Sequence, residues 1–164
     1  IYALVHMNSD KSLNAIEKLS DILKYTLYES KDMVTIREEY EYLENYIDLQ
    51  NIRFDYTTNI SFNFSPGVMD IQIPQFILVP LVENAYKHGD LTLVDEPFTL
   101  SCYMQENELI IESVNRVKNQ EKDKVGGIGL DNTKKRLELI YGENHIMNHQ
   151  LKENLYYVTI KIPV

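Results

Sequence analysis

Residues 81–89 read "LVENAYKHG", an apolar lead-in followed by a carboxylate (Glu83), a carboxamide (Asn84), an ammonium (Lys87) and an imidazole (His88), closed by Gly89. On a helix, residues three and four apart are neighbours, so Glu83, Asn84, Lys87 and His88 all line one face. Two readings fit this spacing. An exposed amphipathic helix end would pair Glu83 with Lys87 and set His88 near the negative helix terminus. A binding site would use the Asn84 carboxamide oxygen, which suits a hard cation such as Mg²⁺, and Asn is otherwise a poor choice inside a helix. These residues alone leave both readings open.

Working outward, the hydrophobic period changes on either side. Upstream, "NISFNF" (59–64) alternates Ile60, Phe62 and Phe64 against polar residues, which predicts a strand with one buried face. "SPG" (65–67) breaks it, and Pro74 leads into the helix of the opening stretch. Downstream, "FTLSCYM" (98–104) points Phe98, Leu100, Cys102 and Met104 one way, "QENE" makes a hairpin turn, and "LIIESV" (109–114) returns. Residues 115–127 are polar and aperiodic and end in paired glycines, the pattern of a mobile loop. "LDNTKKRLELIYG" (130–142) predicts a helix stopped by Gly142, and the tail 155–164 alternates Tyr156, Val158, Ile160 and Ile162 against Tyr157, Thr159 and Lys161.

Two helices come first. In residues 11–30, Leu13, Ile16, Leu19, Leu23 and Leu27 fall near one stripe, which should pack on its own domain or on a second copy. Residues 35–56 open with Thr35 and Glu38 at capping-box spacing, and Tyr40, Leu43, Ile47 and Phe54 mark the apolar face. One-faced strands interspersed with helices predict an α/β two-layer sandwich, a mixed sheet with helices on one face, preceded by a helical hairpin. The expected division is a helical region at 1–56 and an α/β domain at 57–164.

Composition narrows the function. A hydrophobic content of 44% with 25% charged residues is ordinary for a globular domain. A net charge of −9 with no basic stripe disfavours nucleic acid. The lone Cys102 fits a reducing, cytoplasmic compartment and reads as core. No apolar run reaches the length of a membrane span, and the opening "IYALVHMNSD" lacks an initiator Met, as expected of a piece of a longer chain. His145 and His149 are four apart, but their segment reads as strand or turn, and no Cys or helical carboxylate completes a metal set.

The second notable stretch is "GGIGLDN" (126–132). Glycines between a polar loop and a helix start let backbone N–H groups approach an anion at the helix N-terminus. The order carboxamide helix, hairpin, polar loop, "GIGL", helix, strand resembles the GHKL ATPase fold of histidine kinases, gyrase and related chaperones. Within it "IPQFILVPLVENAYKHG" looks like the N-box helix and "GGIGLDN" like the glycine box that ends the ATP lid. The helices "LSDILKYTLYES", "VTIREEYEYLENYIDLQNIRF" and "KKRLELIYG" narrow the resemblance to LytS-type bacterial sensor histidine kinases, across nearly the whole chain.

That resemblance implies the ATP-binding catalytic region of a two-component sensor kinase, which moves the γ-phosphoryl group of Mg²⁺-ATP to a histidine and on to a response regulator. By it, Asn84 is the Mg²⁺ ligand, and Glu83 is the catalytic acid that orients or deprotonates a water or hydroxyl. Lys87 and His88 face the phosphates, and Gly127, Gly129 and Leu130 belong to the lid end that wraps them. It further implies a homodimer through the N-terminal helices and a membrane-anchored parent with this part in the cytoplasm. Three departures stand out. The family's Asp-x-Gly box is replaced by "SVNRV", where Asn115 stands for the adenine-binding Asp, and a neutral carbonyl accepts the adenine amino proton more weakly. The last hairpin, "KENLYY", lacks the usual Gly-Thr pair. His6 is followed by Met7 and Asn8, so the His-Phe-x-Phe-Asn phosphoacceptor is expected upstream of residue 1. A nucleotide-free signalling and dimerisation module is the alternative these departures suggest, and an ATPase that drives a conformational change is a third.

Overall fold

The computed structural model describes residues 10–27, 31–52, 57–118 and 128–164. Helix α1 (Asp10–Leu27) and helix α2 (Ile36–Asn51) form an antiparallel hairpin, and strand β1 (Met33–Thr35) sits between them. Thr35 starts α2 as expected. Its hydroxyl accepts the Glu38 N–H at 3.2 Å, while the Glu38 carboxylate accepts the Thr35 N–H at 2.7 Å. Such a cap contributes about 1 kcal/mol. Lys31 at 2.7 Å, with the capping N–H, holds the Glu38 carboxyl down at about 2. Of the apolar face predicted for α2, Leu43 is buried, and Tyr40 packs edge-on against Phe62 and Phe64 with centroids 5.2 and 5.5 Å apart. Phe54 lies outside the described residues.

The remaining elements are β2 (Ile60–Phe64), a short 3-10 turn (Val68–Asp70), β3 (Gln72–Pro74), α3 (Val79–His88), β4 (Phe98–Gln105), β5 (Glu108–Arg116), α4 (Ile128–Tyr141), β6 (Ile146–Lys152) and β7 (Leu155–Pro163). Five strands form one mixed sheet in the order β2-β4-β5-β7-β6. The β2–β4 pair is parallel, with α3 in the crossover between its strands, and the other pairs are antiparallel. Register puts Phe62, Leu100, Ser113 and Val158 side by side on the face that meets the helices. This is the two-layer sandwich the alternation predicts. Strands β1 and β3 make a separate antiparallel pair, with Val34 opposite Ile73, which fastens the hairpin to the α/β layer. A single apolar cluster then runs from Tyr25, Ile36 and Leu43 through Ile77 and Val82 to Leu100, Ile111 and Ile160.

The α1 stripe, expected to pack on its own domain or on a second copy, leaves Leu13, Ile16, Leu23 and Leu27 exposed by 72%, 47%, 45% and 64%, while Leu19 is half-buried. Ala15 and Tyr25 on another side of the helix are buried instead. Met104 shares the inward side of β4 with Phe98, Leu100 and Cys102 but is 40% exposed, next to the last residue of the strand. Cys102 is fully buried core, and burial pushes its thiol up to about 12.

Candidate functional site

Helix α3 buries Val79, Leu81, Val82 and Ala85 against the sheet. Helical periodicity then turns Pro80, Glu83, Asn84, Lys87 and His88, spaced i, i+3, i+4, i+7, i+8, onto the opposite side. These five residues, with Gly129 and Leu130 at the start of α4, line one cavity of 280 Å³. The structure therefore brings together six of the residues singled out in the sequence. Gly127 lies outside the described residues.

Glu83 and Lys87 form no ion pair among the described residues, so the exposed-helix-end reading loses its main element. Asn84 and His88 are half-buried, whereas Glu83 and Lys87 are open to solvent. Even so, neighbouring groups desolvate the Glu83 carboxyl enough to raise its pKa, as a proton-handling acid near a cavity requires. Tyr42 and Tyr46 of α2 stand near it. Burial and then the Glu83 charge push the Tyr46 phenol up to about 12.

Helix α4 begins two residues earlier than predicted, so Gly129 sits in its first turn. First-turn N–H groups have no partner within the helix, and the positive end of the helix dipole opens where Gly129 and Leu130 line the cavity. Leu130 is buried and anchors that end, and the Thr133 hydroxyl donates to the Gly129 carbonyl at 3.1 Å. A carboxamide, a carboxylate, an ammonium and a helix N-terminus thus share one hollow. That donor set fits a hard cation together with an anion.

Both ends of α3 are held from outside the helix. At its end, the His88 carbonyl accepts the Lys118 N–H at 3.0 Å, and the Asp90 N–H donates to Arg116 at 2.7 Å. Gly89 forms a bridge with Val117 between them. At its start, Leu78 is an N-cap with no side-chain cap of its own, and Pro80 in the first turn needs no partner. The cap comes from Glu39 of α2. Its carboxylate accepts the Leu78 N–H at 2.8 Å and, on the other oxygen, the Phe76 N–H.

Asn115 is buried in β5, directly opposite Tyr156 of β7, and its amide nitrogen donates weakly to the Arg116 carbonyl at 3.4 Å. It stands against Gly89 rather than among the residues lining the cavity. Burial and the Asp131 charge push the Tyr156 phenol up to about 12, and its oxygen has no hydrogen-bond partner among the described residues. Glu39 is the residue the sequence reading missed. A carboxylate three residues after Ile36 and four before Leu43, on the buried side of a helix, was the available signal.

A histidine kinase family model matches residues 1–58. Sensor histidine kinase BtsS of Escherichia coli K12 is 25% identical over 99% of this chain and 30% of its own length. The chain is similar to sensor histidine kinases along nearly its whole length. An uncharacterised sensor-like histidine kinase of Staphylococcus epidermidis is 37% identical over 54% of this chain and 17% of its own length. The chain thus spans under a third of either relative. Its fold is that of kinase catalytic domains: the nucleotide-free catalytic domain of histidine kinase ThkA superposes with a TM-score of 0.56 at 16% identity, over 80% of this chain and 94% of that one. Among the described residues, no helix is long and apolar enough to cross a membrane.

Proposed function

We propose that the chain binds Mg²⁺-ATP in the α3–α4 cavity and is the catalytic region of a two-component sensor kinase. The observation that carries this is the single hollow shared by Glu83, Asn84, Lys87 and His88 with the start of α4. Asn84 would hold Mg²⁺ through its carboxamide oxygen, and bound Mg²⁺ would supply neutralisation of phosphate charge. Lys87 and His88 face the triphosphate, and the first-turn N–H groups of Gly129 and Leu130 donate to it, with Gly127 in the same lid end. Glu83, raised by desolvation, orients or deprotonates the nucleophile. Phosphoryl transfer asks little covalent chemistry of the protein, and these residues position and neutralise. Asn115 accepts the adenine amino proton.

The division of labour follows the chain: residues 1–56 carry dimerisation and linkage, and 57–164 carry nucleotide. Leu13, Ile16, Leu23 and Leu27 are exposed at coiled-coil spacing, which supports pairing of α1 with a second copy. The phosphoryl group passes to a histidine and then to a response regulator, in the cytoplasmic part of a membrane-anchored protein.

One observation favours a nucleotide-free module instead: Asn115 is buried against Gly89 and opposite Tyr156, with no carboxylate presented to a base. Calorimetric titration of Mg²⁺-ATP separates the readings. Saturable, Mg²⁺-dependent heat supports the kinase reading, and no heat at millimolar ATP refutes it.

A further inference from the structure

We propose that Glu39 is a positioning residue for the nucleotide helix: from the N-terminal helical pair, its buried carboxylate fixes the backbone that starts α3 and so sets Asn84 and Lys87 against Gly129 and Leu130. The geometry around it is unusually convergent. Glu39 is fully buried, and its two oxygens accept the N–H groups of Phe76 and Leu78 and, at 3.2 Å, the phenol of Tyr25 on α1. Phe76 has a left-handed backbone, φ 62°, which a bulky residue adopts only where its surroundings impose it. Its ring is boxed edge-on by Tyr25 and Tyr42, with centroids 5.5 and 5.9 Å away.

The preceding residue ties in the other elements. Gln75 is buried; its N–H donates to the Asp32 carbonyl at 3.3 Å and its amide nitrogen to the Tyr25 carbonyl at 3.4 Å. Its own carbonyl accepts the Arg136 guanidinium of α4 at 2.6 Å. Residues 75–78 are therefore a junction where α1, α2 and α4 all meet the start of α3. Three donors converge on a carboxylate that a hydrophobic residue of similar size would not satisfy. Removing it leaves the buried Leu78 N–H, the half-buried Phe76 N–H and the Tyr25 phenol without that acceptor.

The carboxyl also titrates in a useful range. Burial raises it to about 7, against the pull of the Leu78, Phe76 and Tyr25 donors. The groups that face it from the elements packed around it are Tyr25 from α1, Glu38 and Tyr42 from α2, Cys102 from β4, and the Arg136 guanidinium through Gln75. Both tyrosines and the thiol are shifted upward and stay neutral through that window. A raised carboxyl favours the folded state most at pH below its unfolded value and loses that advantage as pH rises through about 7. The ionised form accepts the Phe76 and Leu78 N–H groups without competition from its own proton. Positioning of α3 therefore tightens over the same range.

The test compares the parent with Glu39→Gln and Tyr25→Phe, and its nucleotide arm rests on the function proposed above. Mg²⁺-ATP affinity is measured from pH 5.5 to 8.5. The ratio of parent to Glu39→Gln affinity cancels the titration of ATP and of His88, which both proteins share. That ratio is expected to grow about tenfold through pH 7. In Tyr25→Phe the step moves to higher pH, because a donor that lowers the carboxyl is gone. A residue that only supported the fold would give a flat ratio, and a flat ratio overturns the proposal. Hydrogen exchange without nucleotide is the second arm. The Phe76 and Leu78 amides should exchange at least about tenfold faster in Glu39→Gln while β4 and β5 stay protected. Unchanged exchange at 76 and 78 also overturns it. If Glu39→Gln loses β4–β5 protection as well, the decision passes to the ratio of parent to Tyr25→Phe affinity, since that variant keeps the carboxylate: a ratio that changes with pH near 7 supports the proposal and a flat one sinks it. A parent that binds no Mg²⁺-ATP would refute the nucleotide reading, and the exchange arm would then decide the role of Glu39 by itself.

Discussion

Replacing Gly89 by Ala tests how closely the end of the cavity helix approaches the sheet. A Cβ at this position would stand 2.6 Å from the Ala85 carbonyl oxygen and 3.1 Å from the Asn115 amide nitrogen. Neither can yield cheaply. The first is backbone that already accepts the Gly89 N–H at 2.8 Å, and the second belongs to a buried side chain. The backbone angles, φ −83° and ψ 153°, suit any residue, so no torsional penalty enters. Restricting the unfolded chain would stabilise the variant by about 0.4–1 kcal/mol. Overpacking costs about 1–3 kcal/mol, and the net expectation is a loss of about 1–2 kcal/mol. For a chain of this size that corresponds to a fall in Tm of about 2–8 °C. The damage should be local: the Asp90 and Lys118 amides, which join this corner to Arg116 and His88, should exchange faster. Calorimetric unfolding with hydrogen exchange checks both. A Tm equal to or above the parent, with those amides still protected, would show that the close approach is not a constraint.

Three further outcomes are expected. Asn84→Ala should remove Mg²⁺-dependent nucleotide binding in a calorimetric titration while leaving Tm unchanged or slightly higher, since Ala is the better helix former; equal affinity in variant and parent would contradict the role given to the carboxamide. In the full-length kinase, Leu23→Lys combined with Leu27→Lys should weaken self-association by about tenfold or more in sedimentation equilibrium. An unchanged dimer would mean that the exposed α1 stripe faces something else. Incubated with labelled Mg²⁺-ATP, the present chain should carry no acid-labile label, because His88 belongs to the cavity helix and His145 and His149 lie at and within β6. Stoichiometric label on any histidine would show the acceptor to be misplaced.

The elements with strong periodicity were legible in the sequence. Strands β4 and β7 bury alternate residues, β5 buries its apolar run Leu109–Ile111, and α2 starts at its capping box. The four polar residues of α3 could be assigned to one face because helical spacing fixes that geometry. What escaped detection depends on partners distant in sequence. Strands β1 and β3 are three residues each, too short to show a period, and exist because they pair with one another. The α1 stripe was correct as a pattern, but periodicity cannot say which side of a helix meets its own domain, and Ala15 and Tyr25 took that place. Pro74 ends β3, and the helix it was expected to lead into begins only at Val79, since its cap is supplied by a residue 39 positions before Leu78. Asn115 could be assigned to its strand, but not its seat between Gly89 and Tyr156.

Clamping α3 at both ends, by Glu39 at its start and by the 116–118 backbone beyond Gly89, has a consequence for how such a chain can change over generations. The anchors, the Glu39 carboxylate at the start and backbone groups at the end, do not draw on the side chains of Glu83, Asn84 and Lys87. Folding therefore constrains one set of positions and chemistry another. A lineage can exchange the reactive face piece by piece and keep a helix of the same length in the same seat. It can equally tune the clamp while the reactive face stays intact. Substitutions such as the neutral Asn115 can accumulate near the site without threatening the scaffold that presents it.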